Sequence, residues 1–151
     1  MPKTTAQKRA AAVAKRRGLV WSVAVEAWEY YYSFGPQWLK ESRNPWTEIA
    51  DLSLNGLITS PQPIRPCITL RIFGSMERRS TETQVRPTEI GHYQVGKDRI
   101  DAAVWIPMDA MAQLAAIGAS IKHVHVEADV PERRQGGVRS IAVATELPPA
   151  E

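Results

Sequence analysis

The sequence holds one cysteine, Cys67, which excludes an internal disulfide and any zinc site built on cysteine pairs. Flanked by Ile68-Thr69-Leu70, Cys67 reads as a small buried apolar residue. Long hydrophobic runs are also missing. The most apolar early stretch, residues 19–32, is interrupted by Glu26 and Glu29. It falls short of the ~20 residues a bilayer requires, so no transmembrane segment is expected. The basic start leads into alanines broken by Lys15, Arg16 and Arg17, not into an apolar h-region, so a signal peptide is not expected and a cytoplasmic setting is. No Gly-x-Ser-x-Gly, phosphate-cradling glycine loop or His-Glu-x-x-His occurs. No residue set therefore argues for catalysis or for a cofactor, and the sequence reads as a binding protein more than an enzyme.

Acidic residues are absent from one place in particular. Residues 1–17 carry Lys3, Lys8, Arg9, Lys15, Arg16 and Arg17 and no acid, a charge of +6. The rest of the 151-residue chain sets 13 basic residues against 16 acids, so the high isoelectric point belongs to the arm and the body is slightly acidic. A hydrophobic fraction of 44% with 23% charged residues is ordinary for a folded domain.

Four segments follow from these shifts: a basic flexible arm (1–17), an aromatic-rich extension and linker (18–45), a β-rich domain (46–147) and a short tail (148–151). Within the extension, Trp21, Val25, Trp28 and Tyr32 fall at i, i+4, i+7 and i+11, which predicts a helix ended by Gly35-Pro36. Residues 21–25 also alternate, so a strand is the competing reading. From residue 47 the texture is β. Ile49, Leu52, Leu54 and Leu57 alternate loosely around Asn55-Gly56, which is either a hairpin turn or the bend of one long strand. Residues 67–73 and 99–106 read as strands, 90–95 as a shorter one, and 74–88 as a polar loop. Pro107 and Asp109 open a helix that Gly118 closes. Residues 121–130 and 138–145 form the clearest hairpin, with Gly136-Gly137 read as turn chemistry.

With the short 90–95 segment left out of the count, three strands, a helix and two more strands, over about residues 46–146, resemble the element order of the OB-fold, a five-stranded Greek-key barrel. The resemblance rests on order, not on a residue motif. It implies a mainly β (α+β) fold with a helix before the last hairpin and an N-terminal helical extension. A β-sandwich with one connecting helix would give the same string.

Three functional readings arise. Nucleic-acid contact leads, through the arm residues Lys8, Arg9, Lys15, Arg16 and Arg17 and the loop arginines Arg78, Arg79, Arg133, Arg134 and Arg139. Close behind stands a protein partner or homo-oligomer docked through Trp21, Trp28, Tyr32 and Trp38, since Trp and Tyr dominate interface hot spots. The third is a metal-dependent enzyme using His123, His125 and Glu127, which share one strand face at i, i+2 and i+4. Against that site, Val124, Val126 and Ala128 form the apolar face, so the histidine face is expected to be solvated or paired across strands.

Overall fold

The computed structural model describes residues 2–8, 18–37, 45–61, 65–75 and 89–146. Seven strands form one closed barrel: β1 (Gly18–Pro36), β2 (Trp46–Ser60), β3 (Cys67–Ser75), β4 (Gly91–Val95), β5 (Arg99–Pro107), β6 (His123–Asp129) and β7 (Gln135–Ala144). Their order around the barrel is β1-β2-β3-β5-β4-β7-β6, closed by β6 against β1. Every pairing is antiparallel except β3 with β5, which are parallel because β4 comes between them in the chain and pairs on the far side of β5. Closure removes the open edges that a sandwich would leave.

The mainly β barrel with one late helix is therefore present, but with seven strands instead of five. The two additions are the short β4 and the whole of β1. The expected helix over residues 19–34 is a strand, and the reason lies at Glu26. The register runs Val25↔Gly56 and then Ala27↔Asn55, leaving Glu26 as the extra residue of a β-bulge. Trp21, Val23 and Val25 face inward before it; after it the same side of the strand carries Trp28, Tyr30, Tyr32 and Phe34, opposite Leu54, Leu52, Ala50 and Glu48. One bulge thus converts a period of two into spacings of four, three and four, which imitate a helix.

Other elements follow the sequence pattern. Asn55-Gly56 lies within the single long strand β2, and Gly56 is where β1 passes closest, since a Cβ there would sit 2.3 Å from the Ala24 carbonyl oxygen. Helix α1 (Met108–Ile117) starts after Pro107, and the Asp109 carboxylate accepts the Ala110 N–H at 3.1 Å. A turn of 3₁₀ helix at Gly118–Ser120 leads into β6. Met111 is buried, with Met108 and Leu114 packed against the core beside it. Leu52, Ile68, Leu70, Ile72, Ile100, Val104, Val124, Val126 and Val138 fill the barrel. Cys67 is exposed, not buried: strand parity sends Ile68, Leu70 and Ile72 inward and leaves Cys67 outside.

Candidate functional site

β1 and β2 are longer than the barrel. β6 pairs with β1 only over residues 18–24, and β3 pairs with β2 only over residues 51–57. Beyond that, residues 31–36 pair solely with residues 46–51, forming a two-stranded ribbon that leaves the barrel. Strand faces do not change at the rim, so the side that points into the core lower down becomes exposed surface on the ribbon. That side carries Trp28, Tyr32, Phe34 and Trp46. Phe34 and Trp46 are stacked, with ring centroids 5.3 Å apart, and are 59% and 52% exposed. The Tyr32 hydroxyl donates to Glu48 at 3.0 Å, and this bond to the carboxylate holds the phenol above its usual pKa. Trp28, half-exposed, closes the lower end; its indole lies against Gly118, where a Cβ would come within 3.3 Å. Tyr31 and Ile49 are exposed on the opposite side.

This arrangement divides the aromatic residues singled out in the sequence. Trp21 is a core residue, 3% exposed and edge-on to Tyr93 at 4.8 Å. Trp28 and Tyr32 belong to the exposed face, and Trp38 lies outside the described residues. Phe34 and Trp46 were not among the sequence candidates. Their pairing across the ribbon, near Pro36↔Trp46, depends on β1 being a strand.

The second feature is the β6–β7 turn. Glu132 and Gln135 exchange backbone hydrogen bonds at 2.9 and 3.1 Å, so Arg133 and Arg134 are the two central residues of a tight hairpin. Both have positive φ, 52° and 66°, the geometry for which Asn-Gly is favoured. Both are exposed. Gly136-Gly137, read as turn residues, lie instead inside β7, and no glycine in the described residues has positive φ. Their role is space. A Cβ at Gly136 would sit 2.7 Å from the Tyr93 ring, and one at Gly137 only 2.2 Å from Glu89 Oε2 and 3.0 Å from Asp129 Oδ2.

These bare positions form the floor of an open cleft of about 870 Å³, bounded by Glu89, His92, Tyr93, Asp129 and Arg133. Tyr93 is fully buried and its hydroxyl donates to the Asp129 carbonyl oxygen. Burial, and then the Asp129 carboxylate, push the phenol up to about 12, so it remains a donor. Asp129, 1% exposed, receives the Arg139 guanidinium at 2.6 and 2.7 Å on Oδ1. Arg139 also comes within 4.0 Å of Glu127. A residue expected to meet phosphate is thus engaged in an internal ion pair.

His123, His125 and Glu127 share the outer face of β6 as the spacing requires. His125 Nδ1 and the Ser22 hydroxyl share a 3.3 Å hydrogen bond across β1, and the Ser140 hydroxyl donates to Glu127 at 3.0 Å across β7. Cross-strand pairing therefore describes these two. His123 departs from expectation: it is 3% exposed, its Nε2 has no hydrogen-bond partner, and its ring meets that of His125 at 4.4 Å. Burial first, and the neighbouring His125 second, lower its pKa. Among the described residues no group of three or more His, Cys, Asp or Glu is placed to hold a metal ion.

On the outside of β3 and β5, Phe73 and Trp105 stack at 5.5 Å, with the Arg71 guanidinium 4.8 Å from the Phe73 ring and His92 at the other end of the row. The Phe73 and Trp105 ring faces are occupied by one another. Of the basic candidates, Lys8 is exposed on a helical turn of residues 5–8, which opens with a capping box: Thr4 N–H donates to Gln7 Oε1 at 2.9 Å and Gln7 N–H to Thr4 Oγ1 at 3.2 Å. Arg9, Lys15, Arg16, Arg17, Arg78 and Arg79 lie outside the described residues. No helix among the described residues is long and apolar enough to cross a membrane. Compared with protein-family models, curated proteins and solved structures, the chain gives no match.

Proposed function

We propose that this protein is a non-catalytic interaction module whose aromatic ribbon face is covered by another protein surface, with a second copy of the chain as the partner. The observation that carries the reading is the run of Tyr32, Phe34 and Trp46 along one exposed side of a ribbon that pairs only with itself, continued by the half-exposed Trp28 at the barrel rim. Isolated two-stranded ribbons are marginal in water, and exposed clusters of large aromatics mark interaction sites. Charge favours protein over nucleic acid as the occupant. Between residues 18 and 37, and between 45 and 60, there is no lysine or arginine, against Glu26, Glu29, Glu48 and Asp51. A phosphate backbone would meet repulsion there. Sedimentation equilibrium tests the reading: the full chain should exceed its 16.8 kDa monomer mass. Phe34→Ser with Trp46→Ser should return it to monomer with an unchanged circular dichroism spectrum. A full chain that stays monomeric at ~100 µM, or an oligomer indifferent to both substitutions, would refute it.

Nucleic-acid contact is the second reading, favoured by the β6–β7 turn. Two exposed arginines sit where positive φ makes any side chain costly and glycine or asparagine easier, and such strain is a pointer to function. Anisotropy titration of a labelled single strand at low salt tests it. Arg133→Asn with Arg134→Gly should weaken binding several-fold, and equal affinity for variant and parent would remove this support.

A further inference from the structure

Resting on the docking reading above, we infer that the surface covering the aromatic ribbon is the basic N-terminal arm of a second copy of this chain. The two segments are complementary in charge. The arm carries +6 without an acid; the two strands carry four acids without a base. Of these, Glu48 shares the aromatic side, Glu29 and Asp51 stand on the other side with Asp51 engaged by Arg71, and Glu26 is the bulge residue. Residues 38–44 add Lys40, Glu41 and Arg43, and the ribbon remains negative with them counted. The chemistry matches as well. Lysine and arginine stems lie along aromatic surface while their charged heads reach carboxylates, and their cations are attracted to Trp and Tyr ring faces. Glu48 stands on the aromatic face beside Phe34 and Tyr32, so cation and ring partners are adjacent there.

The arm also has a structural start. The Thr4–Gln7 capping box and the Lys8 N–H bond to the Thr4 carbonyl begin a helix, and the alanines at positions 10–12 and 14 favour its continuation. Such a helix is too short to be stable by itself, so a partner surface is what would complete it. Held as a helix on the surface it covers, an arm of seventeen residues would span about 26 Å, against about 46 Å of strand between Gly18 and Tyr32. That length suits the ribbon of a neighbour, the partner of the docking reading, better than the chain's own.

A charge swap in the full-length chain tests this by sedimentation at fixed concentration. The parent should assemble at low salt and dissociate progressively as salt rises. Glu48→Lys, at the acid on the aromatic side, should raise the dissociation constant at least tenfold, and so should Lys15→Glu, Arg16→Glu and Arg17→Glu together. Mixing the two variants should restore a complex, because the mixed pair unites one unchanged arm with one unchanged ribbon and sets the acidic substitutions at positions 15–17 against the Glu48→Lys ribbon. An oligomer that ignores salt and arm reversal but is lost with Phe34→Ser and Trp46→Ser would overturn the inference, leaving ribbon against ribbon and the docking reading intact. A parent that is monomeric throughout would overturn both. Reversed variants that fail to recombine, each folded by circular dichroism, would also overturn it.

Discussion

Replacing Arg139 by methionine should destabilise the barrel without disturbing any external surface. The reason is the position of Asp129, which is 1% exposed at the end of β6 and receives two guanidinium nitrogens within 2.7 Å. Removing one partner of a buried pair commonly costs ~3–5 kcal/mol, because a carboxylate is left in a low-dielectric site. The Arg139 side chain is itself 21% exposed, so water already screens the pair and the cost falls to the bottom of that range or just under it, about 2–3 kcal/mol. For a chain of this size that is a fall in Tm of roughly 5–10 °C. Urea unfolding followed by circular dichroism should show a lower midpoint with an unchanged slope. Asp129→Asn with Arg139→Met removes both charges, and the double variant should recover most of the loss. The alternative role makes the opposite forecast. If Arg139 were a phosphate contact, its loss would leave stability alone and reduce the salt slope of nucleic-acid binding by about one. Single-variant stability within ~0.5 kcal/mol of the parent, the spread of ordinary surface substitutions, would refute the buried-pair reasoning. So would a double variant no better than Arg139→Met.

The turn, the Tyr93 pocket and His123 each give a further expected outcome. Arg133→Asn with Arg134→Gly, which suits the positive-φ turn, should raise stability by about 1–2 kcal/mol even as it weakens any anion contact; a loss of stability in thermal melts would contradict the turn assignment. Gly136→Ala places a methyl group 2.7 Å from a ring that is fully buried, so the Tyr93 bond to the Asp129 carbonyl should be disturbed and stability should fall by ~1–3 kcal/mol, read by urea unfolding. His123 has a folded-state pKa below its ordinary 6.5, so the unfolded chain binds more protons in the window between the two values. The stability held by keeping it neutral is complete above about pH 6.5 and is lost as pH falls through the folded value. His123→Gln should flatten that part of the pH–stability curve, and an unchanged slope would show that another group titrates.

Much of the barrel could be read from residue order because its strands keep one face dry. Ile68, Leu70 and Ile72, or Val124, Val126 and Ala128, alternate without interruption, and Pro107 and Gly118 bracket α1 by chemistry that is local to the chain. β1 failed because a bulge is a property of two strands, and nothing in residues 18–36 alone says that Glu26 will be skipped by β2. The β6–β7 turn failed in the opposite sense. Gly136-Gly137 carries the usual turn signal, yet the glycines are needed beneath Tyr93 and two carboxylates, and the turn falls to arginines that give no such signal. The aromatic cluster was visible as composition. Its division into a core residue, Trp21, and an exposed face beyond the barrel rim depends on where β6 and β3 stop pairing. Arg139 could not be separated from Arg133 and Arg134 without knowing that Asp129 lies buried across the hairpin from it.

The energetics of the ribbon bear on how such a module would assemble. A large aromatic side chain presents roughly 150–250 Å² when fully exposed, and Trp28, Tyr32, Phe34 and Trp46 each retain about half of it. Covering all four removes roughly 300–500 Å² of largely apolar surface from water, a gross gain of about 8–12 kcal/mol at 25 cal/mol per Å². Lost translational and rotational freedom opposes association by roughly 4–15 kcal/mol. The face alone therefore stands near balance: enough to define where a partner lands, too little for a complex that persists at low concentration. A basic segment beside Glu48 and near the other acids of β1 and β2 would change that balance in the direction of binding, by charge pairs each worth a fraction of a kcal/mol and by steering the encounter. Apolar contact without charge would give association indifferent to salt; charge without the aromatic face would give association that salt abolishes even at high protein concentration. The geometry of β1 and β2 joins the two, so assembly should weaken with salt yet be recoverable by raising the protein concentration.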